Sequence, residues 1–299
     1  MNPSNNSNPN NIWSKDSDVF LCDYGSILTE NNCIASLEYL KELAQNESLP
    51  LIKLSLFEEK YITGKNLGLF MEQNDIFEFL DLAALTLHSP FKIGNISKAL
   101  VKSKNLKEIN LYGNDFVNEF ASLVRIIKEN KSIEILNIGS NDFYENRTTD
   151  DFKNLLPSFS ESLETNKTLK TFEMISISPD GDYKDKNLIE ATFNGLENNT
   201  SITKVDLSQN YFTDDDCKFI KVSSVLKKLD LSSNIITKNG VETILNKLQN
   251  RTTKLTIDLK YNEIMLADLN LENKSPFIKL LIEDNDEDDD GEITVVGTF

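Results

Sequence analysis

Leu226-Lys-Lys-Leu229-Asp-Leu231-Ser-Ser-Asn234-Ile-Ile236 decides the fold of this chain. Its spacing is apolar, two free, apolar, one free, apolar, two free, asparagine, one free, apolar. The same phrase stands at Leu106-Ile109-Leu111-Asn114-Phe116, Ile133-Leu136-Ile138-Asn141-Phe143 and Ile202-Val205-Leu207-Asn210-Phe212. Six weaker copies keep the rhythm: Phe20-Cys22-Gly25, Leu51-Leu54-Leu56-Glu59, Leu82-Leu85-Leu87-Pro90, Leu169-Phe172-Met174-Ile177, Lys254-Ile257-Leu259-Asn262 and Phe277-Leu280-Ile282-Asn285. Ten copies recur about every 29 residues, so each unit can bury its apolar side only against its neighbours. Repetition of this kind predicts a stack of units.

Within each copy the apolar-x-apolar centre alternates with period two, which predicts a short strand with one face inside. Between strands the period becomes 3.6. Val241, Ile244, Leu245 and Leu248 share one helical face behind Thr237, a residue suited to cap a helix start; Phe120, Leu123, Val124 and Ile127 repeat that face. Thr213 before Asp214, Asp215 and Asp216 is a second start signal, with acids in the first turn. The asparagine of each phrase carries both donors and acceptors, so it can satisfy backbone groups where the chain leaves the strand. A further asparagine precedes several strands, at Asn130, Asn166, Asn199 and Asn250, each within an Asn-x-Ser/Thr triplet. A C-terminal cap in a left-handed conformation is expected there rather than a glycan, which would crowd every turn of the stack.

Strand, turn, asparagine and amphipathic helix together resemble the leucine-rich repeat of the ribonuclease-inhibitor type, over about residues 17–285. The resemblance implies an α/β solenoid, a single right-handed horseshoe with parallel strands on the concave face and helices of two to four turns on the convex one. It also implies a non-enzymatic module that binds another protein on the concave side. Residues 1–16 are polar and expected to be disordered, and 286–299 form an acidic tail with a short apolar end.

Composition narrows the partners. With 48 acidic against 31 basic residues the net charge is −17, which disfavours a phosphate-tracking nucleic-acid face. Three widely spaced cysteines, Cys22, Cys33 and Cys217, fit a reduced protein better than a disulfide scaffold. Phe277–Ile282 is the longest nearly apolar run, too short to span a bilayer. The start of the chain lacks the apolar stretch of a signal peptide. A monomer without cofactor, metal, nucleic acid or membrane insertion is expected.

The acidic run Glu283 to Glu292 followed by Ile293–Phe299 resembles the C-terminal translocation signal of Dot/Icm-type type IV secretion effectors. That resemblance implies a bacterial effector delivered by a non-Sec route into host cytosol, where it binds and regulates, or inhibits by occlusion, a host protein or another effector. A second resemblance, to the leucine-rich repeat GTPase activators with their acidic tails, implies the alternative of a GTPase-activating protein. Catalytic signals are weak. Asp286-x-Asp288-x-Asp290-Gly291 begins like a calcium loop, but Gly297 stands where the closing glutamate belongs. His88 is the only histidine and has no acid beside it in sequence, so it is expected to make a partner contact.

The free positions of each phrase should line the concave face. One column reads Ser55, Thr86, Asn110, Asn137, Glu173, Asp206, Asp230 and Asp258; its neighbour reads Lys53, Ala84, Glu108, Ile135, Thr171, Lys204, Lys228 and Thr256. The third reads Phe57, His88, Tyr112, Gly139, Ile175, Ser208, Ser232 and Lys260. Partner contacts are expected at Phe57, His88, Glu108, Tyr112, Ile135 and Ile175 in the earlier half. In the later half they are expected at Glu173, Lys204, Asp206, Lys228, Asp230 and Asp258. Exposed Phe57, Tyr112, Ile135 and Ile175 would be the anchors.

Overall fold

The computed structural model describes residues 19–21, 52–55, 64–85, 92–114, 119–141, 150–177, 186–265, 269, 274–283 and 293–296. Eleven strands form one open sheet in chain order. They are β1 (Val19–Leu21), β2 (Ile52–Ser55), β3 (Phe77–Asp81), β4 (Glu108–Asn110), β5 (Ile135–Asn137), β6 (Thr171–Glu173), β7 (Lys204–Asp206), β8 (Lys228–Asp230), β9 (Leu255–Asp258), β10 (Ile278–Glu283) and β11 (Ile293–Val296). β1 to β10 are parallel, one strand for each copy of the phrase, and β11 runs antiparallel to β10. The central apolar residue of each copy pairs with the next in a single row: Phe20, Leu54, Leu80, Ile109, Leu136, Phe172, Val205, Leu229, Ile257 and Leu280.

Parallel strands need crossovers, and helices supply them. Among the described residues these are α1 (Gly64–Gln73), α2 (Gly94–Lys102), α3 (Phe120–Glu129), α4 (Asp150–Thr165), α5 (Lys186–Glu197), α6 (Asp214–Cys217) and α7 (Lys238–Lys247). The faces expected from the 3.6 period are the buried ones: Phe120, Leu123, Val124 and Ile127 in α3, and Val241, Ile244 and Leu245 in α7. Thr237 caps α7 by accepting from the Asn239 N–H at 3.3 Å. Before α6 the Asp216 carboxylate reaches back to the Thr213 N–H at 2.7 Å. The seventh unit departs from the expected two to four helical turns. α6 is a four-residue turn, after which the chain returns through irregular structure to β8.

Between sheet and helices lies one apolar core with a chain of rings inside it. Phe159 of α4 is fully buried, with ring centroids 5.3 Å from Phe120 and 6.5 Å from Phe172. Helices approach closely where a side chain is missing: a Cβ on Gly195 of α5 would lie 2.6 Å from the Ser160 carbonyl oxygen of α4.

The phrase asparagines are buried and bridge adjacent units. Asn234 donates to the carbonyls of Leu207 (3.2 Å), Leu231 (2.9 Å) and Ser232 (3.2 Å), and accepts from the N–H groups of Asn210 (2.8 Å) and Phe212 (3.0 Å). Asn262 and Asn210 repeat the pattern one unit on and one unit back. Three of the four pre-strand asparagines are buried as well, which leaves no room for a glycan at Asn130, Asn166 or Asn199. Their capping differs from expectation. Asn130 is extended (φ −67°, ψ 142°) rather than left-handed, and its side chain does the work. Its Nδ2 donates to Leu100 O at 2.6 Å while its Oδ1 accepts from the N–H groups of Ser132 and Ile133. Asn250 is exposed, and Arg251 takes over by donating to the carbonyls of Ser223, Leu226 and Thr253.

The left-handed residue sits elsewhere, immediately before each asparagine position. Ala84, Ser140, Ser176, Gln209, Ser233 and Tyr261 have φ between 49° and 58°, and only Gly113 at 69° is the residue type that accepts this freely. The turn holds most of them there because the N–H groups of Ala84, Gly113, Ser140, Ser176, Gln209 and Ser233 still donate to the next unit, the last to Lys260 O at 2.8 Å. Ser233→Val should therefore cost about 1–3 kcal/mol. Ser233→Gly should be neutral or stabilising by up to about 1 kcal/mol, since relief of about 1–2 offsets the entropy glycine adds to the unfolded chain. Urea unfolding curves of the two variants check the signs.

Two expectations shift. In the third copy Leu80, not Leu85, is the central residue, so the phrase reads Phe77-Leu80-Leu82-Leu85. The cause is arithmetic: an apolar series spaced three, two, three, two maps onto itself when slid by five residues. Only the asparagine breaks that symmetry, and Leu85 stands in its place. The second shift is at the chain end. Ile293–Val296, in the short apolar end of the acidic tail 286–299, adds to the sheet, with Leu281 opposite Val295 and Ile282 opposite Thr294.

Candidate protein-binding face

On the sheet face turned away from the helices, registry builds the columns strand by strand. Asp81, Asn110, Asn137, Glu173, Asp206, Asp230 and Asp258 pair in sequence, next to Phe79, Glu108, Ile135, Thr171, Lys204, Lys228 and Thr256. The slide in the third copy replaces Ala84, Thr86 and His88 with Phe79, Asp81 and Ala83. His88 and Phe57 themselves lie outside the described residues.

The first column does a structural job that its spacing did not reveal. Each short acid or amide accepts, through Oδ1, the backbone N–H two residues on, closing the strand end as an Asx turn. The pairs are Asp81 with Ala83 (3.1 Å), Asn110 with Tyr112 (3.1 Å), Asn137 with Gly139 (2.9 Å), Asp206 with Ser208 (3.0 Å), Asp230 with Ser232 (3.1 Å) and Asp258 with Lys260 (3.3 Å). The hydroxyls of Ser208 and Ser232 add donations at 2.7 Å to Asp206 and Asp230. Glu173 accepts instead from Lys204 Nζ at 3.1 Å.

Lysines answer most of the acids. Lys228 lies 3.2 Å from Asp230 and Lys260 3.4 Å from Asp258. Asp206 makes no ion pair among the described residues. Asp230 and Asp258 are buried in the face rather than standing out from it. Burial, and then the neighbouring Asp230 charge, hold the Asp258 carboxyl above its ordinary 3.8, with Lys260 opposing. An acid raised in the folded state makes folding less favourable as pH rises from the ordinary value through the raised one, and the cost persists above that window. Asp258→Asn keeps the Oδ1 acceptor and removes the charge. It should be at least as stable as wild type at about pH 7, with the gain vanishing near pH 3. Denaturant titrations at both pH values test this, and a variant weaker at neutral pH overturns it.

Toward the earlier strands the face is apolar. Phe79, Tyr112, Ile135 and Ile175 are half-buried rather than fully exposed, as is Glu108. The Tyr112 ring accounts for part of this. It covers Gly139, where a Cβ would lie 3.0 Å from Tyr112 Cδ2 and 2.7 Å from the Ile175 carbonyl oxygen. The Ile175 backbone excludes a Cβ at Gly139, and the bare glycine leaves room for the Tyr112 ring to lie over the turn that follows β5.

Sequence reasoning missed a further set. Tyr211, Ile235, Tyr261 and Met265 are exposed at the turns that follow β7, β8 and β9. The available signal was an apolar residue at the free position directly after Asn210 and Asn234. Among the described residues no group of three His, Cys, Asp or Glu side chains is placed to hold a metal, and no helix is long and apolar enough to cross a membrane.

The family model described as Leucine Rich repeat matches residues 198–221 and 222–245, the seventh and eighth units. No curated protein matches the chain. Among solved structures, human 5T4 (Wnt-activated inhibitory factor 1, trophoblast glycoprotein) is similar at 14% identity and a TM-score of 0.40, over 70% of each chain. A Bacteroides fragilis protein is similar at 15% identity and a TM-score of 0.47, over 90% of this chain and 75% of its own. The fold is an α/β leucine-rich repeat solenoid, an architecture that typically serves as a non-enzymatic scaffold for protein partners.

Proposed function

We propose that this chain binds and regulates a protein with a basic surface through its open sheet face, occluding part of that surface. One observation carries the reading. The Asx turns at Asn110 and Asn137 use neutral amides, so the same hydrogen bond at Asp206, Asp230 and Asp258 does not require charge. Carboxylates at these positions incur mutual repulsion and, at Asp258, a raised pKa. A cationic partner offsets both. Tyr112, Ile135 and Ile175 supply an apolar contact beside them.

Affinity capture followed by binding kinetics with the captured partner tests the reading. Tyr112→Ala should weaken binding by about 2 kcal/mol, mainly through faster dissociation. Asp206→Asn with Asp230→Asn should slow association and flatten its salt dependence while leaving the turns closed. A partner that binds all these variants like wild type would sink the proposal.

The acidic run and apolar end support delivery into host cytosol by a type IV route, as a bacterial effector. Its test is a translocation reporter fused to the chain, with the acids between Asp284 and Asp290 changed to their amides. Unchanged delivery would remove this part of the proposal.

A further inference from the structure

Six large apolar side chains are exposed among the described residues, and four of them gather in three consecutive turns: Tyr211 (41%), Ile235 (38%), Tyr261 (60%) and Met265 (55%). Backbone hydrogen bonds stack these turns one unit apart. The Ile235 N–H donates to Phe212 O at 3.0 Å, and the Ser233 N–H donates to Lys260 O at 2.8 Å, beside Tyr261. The core does not need them. Their neighbours Phe212, Ile236 and Ile264 fill the interior and are buried. Tyr211 and Tyr261 also hold left-handed backbone, φ 54° and 58°, which disfavours a bulky side chain. Large apolar side chains exposed in three successive units, two of them rings on left-handed backbone, are poorly explained by folding alone.

We infer that this strip is the principal anchor for the partner, and that the partner presents an arginine or lysine flanked by apolar side chains. The inference deepens the proposed function and rests on it. Charge complementarity fixes the occupant's chemistry. Lys228 and Lys260 compensate part of the charge of Asp230 and Asp258, whereas Asp206, at the end of the strand leading to Tyr211, makes no ion pair among the described residues. A cation reaching Asp206 brings its apolar neighbours onto Tyr211 and Ile235, with Tyr261 and Met265 one unit further along. Aromatic side chains with few rotatable bonds suit such anchoring, and the Asp206 carboxylate selects the sign of the partner's charge.

A phage-displayed random peptide library selected on the full-length protein supplies the probe. Enriched peptides should carry Arg or Lys next to aromatic or aliphatic residues. They should lose at least tenfold in affinity for the double variant Ile235→Ser with Tyr261→Ser, several-fold for Asp206→Asn, and little for Tyr112→Ala. Thermal melts should be unchanged in the double variant, because both side chains face solvent. Peptides that bind the double variant like wild type but fail on Tyr112→Ala would overturn the strip and leave the open-face reading standing. Peptides indifferent to both changes would count against both. Acidic consensus sequences, or no enrichment, would overturn the assigned partner chemistry. Sedimentation showing a dimer that the double variant abolishes would assign the strip to a second copy of this chain, and so overturn the inference as well.

Discussion

Asn234→Ala should lower the unfolding free energy by about 3–5 kcal/mol, more than any surface change in the protein. The side chain is buried and makes five hydrogen bonds, three donated to carbonyls and two accepted from N–H groups of the preceding unit. Alanine leaves those backbone groups facing an apolar interior, and each buried group without a partner costs about 1–3 kcal/mol. Some relax toward one another, which holds the total below the simple sum. Asn234→Asp should be almost as damaging, because a carboxylate can accept from Asn210 and Phe212 but cannot donate to Leu207, Leu231 and Ser232. Denaturant unfolding followed by circular dichroism measures both. A loss under about 1 kcal/mol in Asn234→Ala would mean that the ladder is dispensable.

Phe159→Ala should cost a similar amount, about 3–5 kcal/mol, for a different reason. The ring is fully buried in α4 and lies between Phe120 of α3 and Phe172 of β6, so its loss opens a cavity that joins three units. Phe159→Leu keeps much of the volume and should cost well under half as much. In a stack each unit touches chiefly its neighbours, so the damage should stay local. Native-state hydrogen exchange should speed up around α3, α4 and β6 while β8 and β9 keep their protection. Uniform acceleration along the whole chain would instead show one cooperative block.

These two sites were legible in the sequence to different degrees. Asn234 stands in the cleanest phrase, and its structural role follows from amide chemistry at a strand exit. Phe159 lies outside every phrase, and nothing in its spacing tells whether a ring in a helix meets other rings. The candidate face divides in the same way. The row Glu173, Asp206, Asp230 and Asp258 was readable because strands in register carry equal sequence offsets to equal places. Its Asx turns were not, since an aspartate two residues before a serine can bond or point to solvent.

By itself, then, the sequence determined the repeat, the parallel order of the strands, the buried faces of α3 and α7 and the asparagine ladder. Each of these depends on contacts within one unit or between adjacent units, and the period reports such contacts directly. The tertiary structure decided what depends on the actual neighbours. It set the third strand at Phe77–Asp81, because Leu85 in the asparagine position left the apolar series free to slide. It half-buried Tyr112 by laying its ring over Gly139, closed the far edge of the sheet with Ile293–Val296, and left Tyr211, Ile235, Tyr261 and Met265 in solvent. A period fixes which side a residue faces; how much of it remains exposed depends on the size and position of side chains in other units.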